Sequence, residues 1–389
     1  MDVEILAIGV FGLTSLLVFY TYVGYPILVF VVARLFPRTV ERERYRPKVT
    51  VLITAYNEEA GIEKKILNTL RLDYPKDKLE ILVASDASSD GTDDIVNGFA
   101  SQGVKFFRQE GRKGKTWTQN EAVKLATGEI ILFSDATTHY SPDVLENLLP
   151  SFSDDSVGCV AGRLIYVANA NGSISSGARK YWGYETFLRE NESLACSLIG
   201  ASGCLYAVRK EAYVPMYREA CSDFLICSLL YENGLRSVFE PSAVCYEDTN
   251  EKSQEEIRMR IRVIAQTYSD LWKNRRLLNP LRTGFYGIQL ISHKLLRYLV
   301  PIFLLFNFLS SLVLALTIPA FVVLAGVEIA LLVAALIGLV LEKSEIKIKL
   351  FSLPMYFLLT NYTSMVGLLK FFSGENFAAW ETGRKSEGQ

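Results

Sequence analysis

The sequence predicts an α/β fold, a mostly parallel sheet with helices on both faces, joined to α-helical membrane segments. Three observations carry this. Short hydrophobic runs alternate with helix-like runs through the middle of the chain. Three of the hydrophobic runs lead directly into acids, the way buried parallel strands deliver carboxylates at their C-terminal ends. Uncharged stretches long enough to cross a bilayer flank this region on both sides.

The elements follow in order. Residues 49–54 form a strand that runs into Ala55-Tyr56-Asn57-Glu58, with a helix over about 58–71. Residues 79–84 form a second strand that runs into Ser85-Asp86-Ala87-Ser88-Ser89-Asp90-Gly91-Thr92, with a helix over about 90–100. A strand at 104–108 precedes a helix over about 115–126, and a strand at 129–133 ends in Ser134-Asp135-Ala136-Thr137. A helix over about 142–152, a strand at 205–208 and a helix at 224–233 come next. Ligands of open α/β sheets bind at the carboxyl ends of strands. Glu58, Asp86 and Asp135 therefore mark one edge as a site for a metal-bound, phosphate-containing ligand.

Composition narrows the chemistry. The 389 residues suffice for one substantial soluble domain plus a membrane part. Half the residues are hydrophobic and the mean hydropathy is +0.20, high for a purely soluble protein. A formal net charge of −1 gives no reason to expect nucleic acid. The six cysteines form no CxxC pair and read as core residues of a reducing compartment. The only histidines are His139 and His293, so carboxylates must carry the acid–base work.

Residues 5–33 contain no charge and exceed the length of a signal-peptide core. Arg34, Arg38, Arg42, Arg44, Arg46 and Lys48 follow and mark the cytoplasmic flank. The expected organisation is a transmembrane helix at 1–36, a cytosolic domain at 46–280 and an interfacial amphipathic helix at 281–297. About three transmembrane helices over 298–372 and a polar tail at 373–389 complete it. A multi-pass protein of the cell membrane, with its large domain in the cytoplasm, is the expectation.

Four segments carry a family likeness: residues 47–58 (PKVTVLITAYNE), 85–92 (SDASSDGT), Gly114-Lys115 through Asn120, and Ser134-Asp135-Ala136-Thr137. In this order and spacing the chain resembles membrane-anchored bacterial family 2 glycosyltransferases of GT-A fold, such as polysaccharide and N-acetylglucosaminyl transferases. The resemblance covers most of the soluble domain. It implies that Thr54, Tyr56, Glu58 and Asp86 bind the nucleotide of a sugar donor, most simply a UDP-sugar. It puts Lys115, beside Arg112 and Lys113, on the diphosphate, and makes Asp135 a ligand of Mg2+ or Mn2+. Thr137 stands where the family's DxD motif has its second acid, which weakens that ligand set.

Asp223 takes the position of the family's general base, with Ser222 in place of the usual glutamate. The same resemblance implies that Gly203, in Gly200-Ala201-Ser202-Gly203-Cys204, and Ser222 border the acceptor pocket. Arg262 aligns with the arginine of QxxRW, but Met259 and Val263 replace the glutamine and tryptophan of that processive motif. Plainer readings exist for each residue. Asp86 suits a turn, Ser222 or Asp223 suits a helix N-cap, the 112–115 loop suits solvent, and Arg258, Arg260 and Arg262 suit a lipid-facing basic helix.

The implied activity is inverting transfer of a sugar from a nucleotide donor to a membrane-associated lipid or glycan acceptor, in exopolysaccharide or lipid-linked glycan synthesis, with polysaccharide-assembly proteins as partners. The alternatives are a ceramide- or polyprenyl-phosphate-type lipid sugar transferase and a catalytically degenerate donor-binding subunit of an export complex.

Overall fold

A computed structural model describes residues 2–167, 173–248, 253–344 and 348–375. Most of the tail expected at 373–389 and part of the loop before 349 lie outside the described residues. The chain opens with α1 (Asp2–Phe19), a π-helical turn and α2 (Tyr25–Leu35). Then come β1 (Val49–Ala55), α3 (Ile62–Leu70), β2 (Leu79–Ser85), α4 (Thr92–Gly98), β3 (Val104–Arg108) and α5 (Lys115–Leu125). The second half of the domain holds β4 (Ile130–Asp135), β5 (Thr138–Tyr140), α6 (Val144–Leu148), β6 (Val157–Val167) and α7 (Ser173–Ala195). β7 (Tyr206–Arg209), α8 (Ser222–Glu232), β8 (Arg236–Asp248) and α9 (Ser253–Lys273) close it. The chain ends with α10 (Pro280–Thr283), α11 (Phe285–Gln289), α12 (Arg297–Ala315), α13 (Pro319–Lys343) and α14 (Lys349–Phe372).

The strands make one mixed sheet in the order β3-β2-β1-β4-β7-β6-β8-β5. β1 lies between β2 and β4, parallel to both, and every one of its residues is buried. Such a strand needs apolar side chains on both faces, which explains its unbroken hydrophobic run. Ile53 packs with Ile66, Val83 and Leu132 on one side of the sheet, while Leu52 packs with Leu82, Phe133 and Leu225 on the other. The register sets Thr54 beside both Ala84 and Asp135, so β1, β2 and β4 end flush at one edge. β5 folds back antiparallel to β8 and pairs Thr138 with Glu247.

α3 begins four residues later than the pattern around Glu58 implies. Residues 57–61 are taken up by a turn instead. Asn57 sits at φ 52° and its Oδ1 accepts the Ser89 amide at 2.8 Å, while the Glu58 carbonyl accepts the amides of Gly61 and Ile62. This turn locks the loop after β1 to the loop after β2.

Among the described residues, three helical stretches are long and apolar enough to cross a membrane: Asp2–Leu35, Phe285–Ala315 and Pro319–Leu341. α14, over the expected last span, is not among these three. The region anticipated as a separate interfacial helix is built differently. Gly284, at φ 60°, ends α10, and α11 then runs through a π-helical stretch (Leu290–Leu296) straight into α12. Tyr286 and Leu290 of this continuous helix are fully buried, and Tyr286 stacks on Tyr231 of α8 with ring centroids 4.0 Å apart. Burial against the α/β domain explains apolar residues that, in sequence, suit a bilayer surface equally well.

Candidate active site

The loop after β3 is shaped by Asp86, which is fully buried at the end of β2. One carboxylate oxygen accepts the Lys113 amide (2.7 Å) and the Thr118 hydroxyl (3.0 Å); the other accepts the Gly114 amide (2.9 Å). These bonds to a charged acceptor outlast ordinary loop contacts. Gly114 is at φ 96°, a conformation open to glycine, and α5 starts at the next residue. Lys115 is thus the first residue of a helix whose entry Asp86 holds. Beside it, the Arg112 guanidinium lies 4.0 Å from the centroid of the Tyr56 ring. Two non-glycine residues of left-handed conformation, Asn57 and Ala87, both sit on this same edge. Local backbone strain of this kind collects at functional sites.

Lys115, Asp135 and Asp223 come from α5, β4 and α8 and meet over Gly203. The Lys115 ammonium forms an ion pair with Asp135 Oδ1. A methyl group built on Gly203 would lie 3.0 Å from Lys115 Nζ and 3.3 Å from both Asp135 Oδ2 and Asp223 Oδ2. The two carboxylate oxygens are therefore no more than twice that last distance apart, and the ammonium pairs with the Asp135 carboxylate. Burial alone would lower the pKa of Lys115, but Asp135 and Asp223 together raise it above its ordinary value. Asp223 stands in the first turn of α8, where its Oδ1 accepts the Phe224 amide and the Cys221 thiol, each at 3.1 Å. Oδ2 faces the Gly203 side.

Arg262 of α9 is half-buried; burial lowers its pKa, against the opposing charges of Asp135 and Asp223 nearby. Among the described residues its guanidinium has no hydrogen-bond or ion-pair partner. Thr137 is turned toward Glu247 of β8: its hydroxyl donates to Glu247 Oε1 at 3.1 Å. Burial, then the charge of Asp135, pushes the Glu247 carboxyl above the usual range. Thr54 lies under the cluster, accepting from Gln119 Nε2 at 3.4 Å. The Glu58 amide is bound to Thr92 Oγ1 at 2.8 Å, in the turn that joins the first two loops. Ser222 is buried at the start of α8. Among the described residues no three His, Cys, Asp or Glu side chains close into a metal cage by themselves.

Comparison with known proteins classes the central part of the chain. Residues 50–214 match the family model described as Glycosyl transferase family 2. Residues 50–214 are a family 2 glycosyltransferase domain. Beta-monoglucosyldiacylglycerol synthase of Trichormus variabilis is 34% identical over 42% of this chain and 34% of its own length. Poly-beta-1,6-N-acetyl-D-glucosamine synthase of Staphylococcus aureus is 26% identical over 58% of this chain and 52% of its own length. The chain thus spans about a third to a half of the curated relatives it matches. Mannosyltransferase PcManGT of Pyrobaculum calidifontis, solved with GDP-Man and Mn2+, superposes with a TM-score of 0.72 at 23% identity. It covers 94% of this chain and 100% of its own, and it shows the GT-A fold.

Asp223, Glu247 and Arg262 lie beyond the matched part of the glycosyltransferase domain, and the fold alone brings them to Asp135. Glu247 is absent from the residues that sequence reasoning singled out. Its signal was present: Glu247 stands near the end of a strand, as Asp135 does at the end of β4. Asp270, buried on α9 and bound to the segment that enters α8, was missed as well, and a single acid in a helical run gives no such signal.

Proposed function

We propose that this chain is a membrane-anchored inverting glycosyltransferase. It moves a sugar from a nucleoside diphosphate donor, a UDP-sugar, to a membrane-associated acceptor in polysaccharide or lipid-linked glycan synthesis. The observation that carries the reading is the meeting of one ammonium and two carboxylates from three elements over Gly203. The nucleotide occupies the carboxyl edge near Thr54, Tyr56, Glu58 and the Asp86 loop. Lys115 and Arg262 supply positive charge to the diphosphate as it leaves with the electron pair of the anomeric C–O bond. Asp223 takes the proton of the attacking acceptor hydroxyl, and attack from the face opposite the diphosphate inverts the anomeric centre. Gly203 and Ser222 border the acceptor side, and a side chain at 203 would fill the space between the acids.

A divalent cation fits this donor set. Mg2+ or Mn2+ bound with a nucleotide uses one or two carboxylates plus phosphate oxygens. Asp135 and Glu247 supply that number, and Asp135 already attracts a cation, the Lys115 ammonium. Asp135 would hold the ion, with Thr137 engaged through Glu247. Bound there, it would neutralise charge on the diphosphate. The apolar helices and the arginines at 34–46 support a multi-pass anchor in the cell membrane, with the catalytic domain in the cytoplasm.

A second reading, transfer of one sugar directly to a lipid, is favoured by Met259 and Val263 in place of the processive motif. Turnover by full-length protein in nanodiscs, with UDP- and GDP-sugars and membrane lipid extract, tests both. Nucleoside diphosphate release that requires a divalent ion supports transfer, and product size separates a glycan from a single glycolipid. Donor binding without turnover under every condition would turn the reading to a degenerate donor-binding subunit.

A further inference from the structure

Residues 216–221 link β7 to α8, and nearly every one of them is tied to another element. Asn120 of α5 brackets Met216, donating to its carbonyl (2.7 Å) and accepting its amide (3.1 Å). Arg218 Nε donates to the Lys113 carbonyl at 2.5 Å, and Thr116, next to Lys115, donates to the Ala220 carbonyl at 2.6 Å. From α9, Gln266 Nε2 donates to the Glu219 carbonyl at 3.3 Å. The segment is a strap that fastens the donor loop, α9 and the entry to α8 together.

Asp270 holds the last link. Its Oδ2 accepts the Cys221 amide at 3.0 Å and its Oδ1 accepts the Tyr217 hydroxyl. Cys221 is the residue before α8 and provides no side-chain cap for it; its thiol is directed to Asp223 instead. The direction in which α8 starts is thus set from outside, by a carboxylate on another helix. That carboxylate is only 1% exposed, where a neutral side chain would be cheaper to bury.

We propose that Asp270 is a positioning residue for Asp223: by bridging Tyr217 and the Cys221 amide it fixes the first turn of α8, and so the distance of Asp223 from Lys115 and Asp135. The proposal rests on the reading of Asp223 as general base. Because Asp270 sits on the same helix as Arg262, the diphosphate arginine and the base are held to one rigid element. The titratable groups that face Asp270 are Tyr217 and Cys221 of the strap, Asp223 of α8 and Lys273 of its own helix. Burial raises its pKa to about 7, against the hydrogen bonds from Tyr217 and the Cys221 amide. The link is therefore made by a charged acceptor above that pH and by a neutral carboxyl below it.

The test is Asp270→Asn in full-length protein in nanodiscs, with kcat and donor KM measured across neutral pH. The expected result is a kcat lowered about 10- to 100-fold with donor KM within about twofold, as misplacement of a reacting group produces. The wild-type fall in kcat as pH drops through about 7 should vanish in the variant. Tyr217→Phe, which removes one of the two bonds, should show the same split more weakly, and it carries the test if Asp270→Asn does not fold. A wild-type kcat, a loss confined to KM, or a pH limb that persists in Asp270→Asn overturns the proposal. Asp223→Asn run alongside separates the two ideas: full turnover there removes the base reading itself. Loss there with normal Asp270→Asn turnover removes only the role of Asp270.

Discussion

Gly203 has no side chain, and that absence leaves the space over which Lys115, Asp135 and Asp223 meet. A Cβ there would lie 3.0 Å from the Lys115 ammonium nitrogen and 3.3 Å from two carboxylate oxygens. The lysine end can move, but only by loosening its pair with Asp135. Gly203→Ala should therefore lower turnover at least about tenfold while stability changes by less than about 1 kcal/mol, since no core packing is lost. Kinetics and a thermal melt on the same preparation check this. Unchanged turnover would mean that the space over Gly203 is not where the reaction occurs. Asp86 shows how a residue can be found for one role and placed in another setting. Its type and position at a strand end were legible, but its bonds to the amides of Lys113 and Gly114 were not, because they depend on where the β3–α5 loop returns in space.

At the scale of elements, the sheet edge opposite the site is held by Glu80. Its carboxylate gathers Thr50 of β1, Lys105 of β3 and the Thr127 amide and hydroxyl before β4, with contacts of 2.5–2.9 Å. Burial alone would raise its pKa, yet these bonds bring it down to about 2. The folded-state pKa is lowered, so the stabilisation is present above the unfolded value near 4.5 and is lost as pH falls toward 2. Glu80→Gln should cost about 2 kcal/mol at neutral pH, and the gap to wild type should close between about pH 4.5 and 2. Denaturant melts of the two proteins at several pH values measure it. A gap independent of pH would contradict the charge assignment. The parallel half of the sheet was readable because β1, β2 and β4 are continuous apolar runs that end in acids. The antiparallel half was less so. β5 has three residues, too few for a pattern, and its pairing with β8 is what carries Glu247 to Thr137. The helix at 285–296 was ambiguous for a different reason, since a domain surface and a bilayer surface demand the same amphipathic sequence.

Across the whole molecule, a buried polar chain joins the apolar helices to the catalytic domain. Tyr25 of α2 donates to Glu192 of α7, His293 Nδ1 lies 2.7 Å from the same carboxylate, and Arg297 of α12 donates to Glu185 at 3.0 Å. Glu192→Leu leaves Tyr25 and His293 without their acceptor in a buried place, and the protein in detergent should melt at lower temperature with donor affinity unchanged. Calorimetry and donor titration report the two effects separately. Lost donor binding would show that the chain of contacts supports the nucleotide site directly. The central claim is that Asp223 removes the acceptor proton beside a donor held by Lys115, Asp135 and Arg262. The most direct measurement is donor binding and sugar transfer by Asp223→Asn in nanodiscs. The account predicts donor affinity within about twofold of wild type and transfer slowed at least about 1000-fold, the upper part of a general base's contribution with its geometry kept. Transfer at a rate near wild type would contradict it.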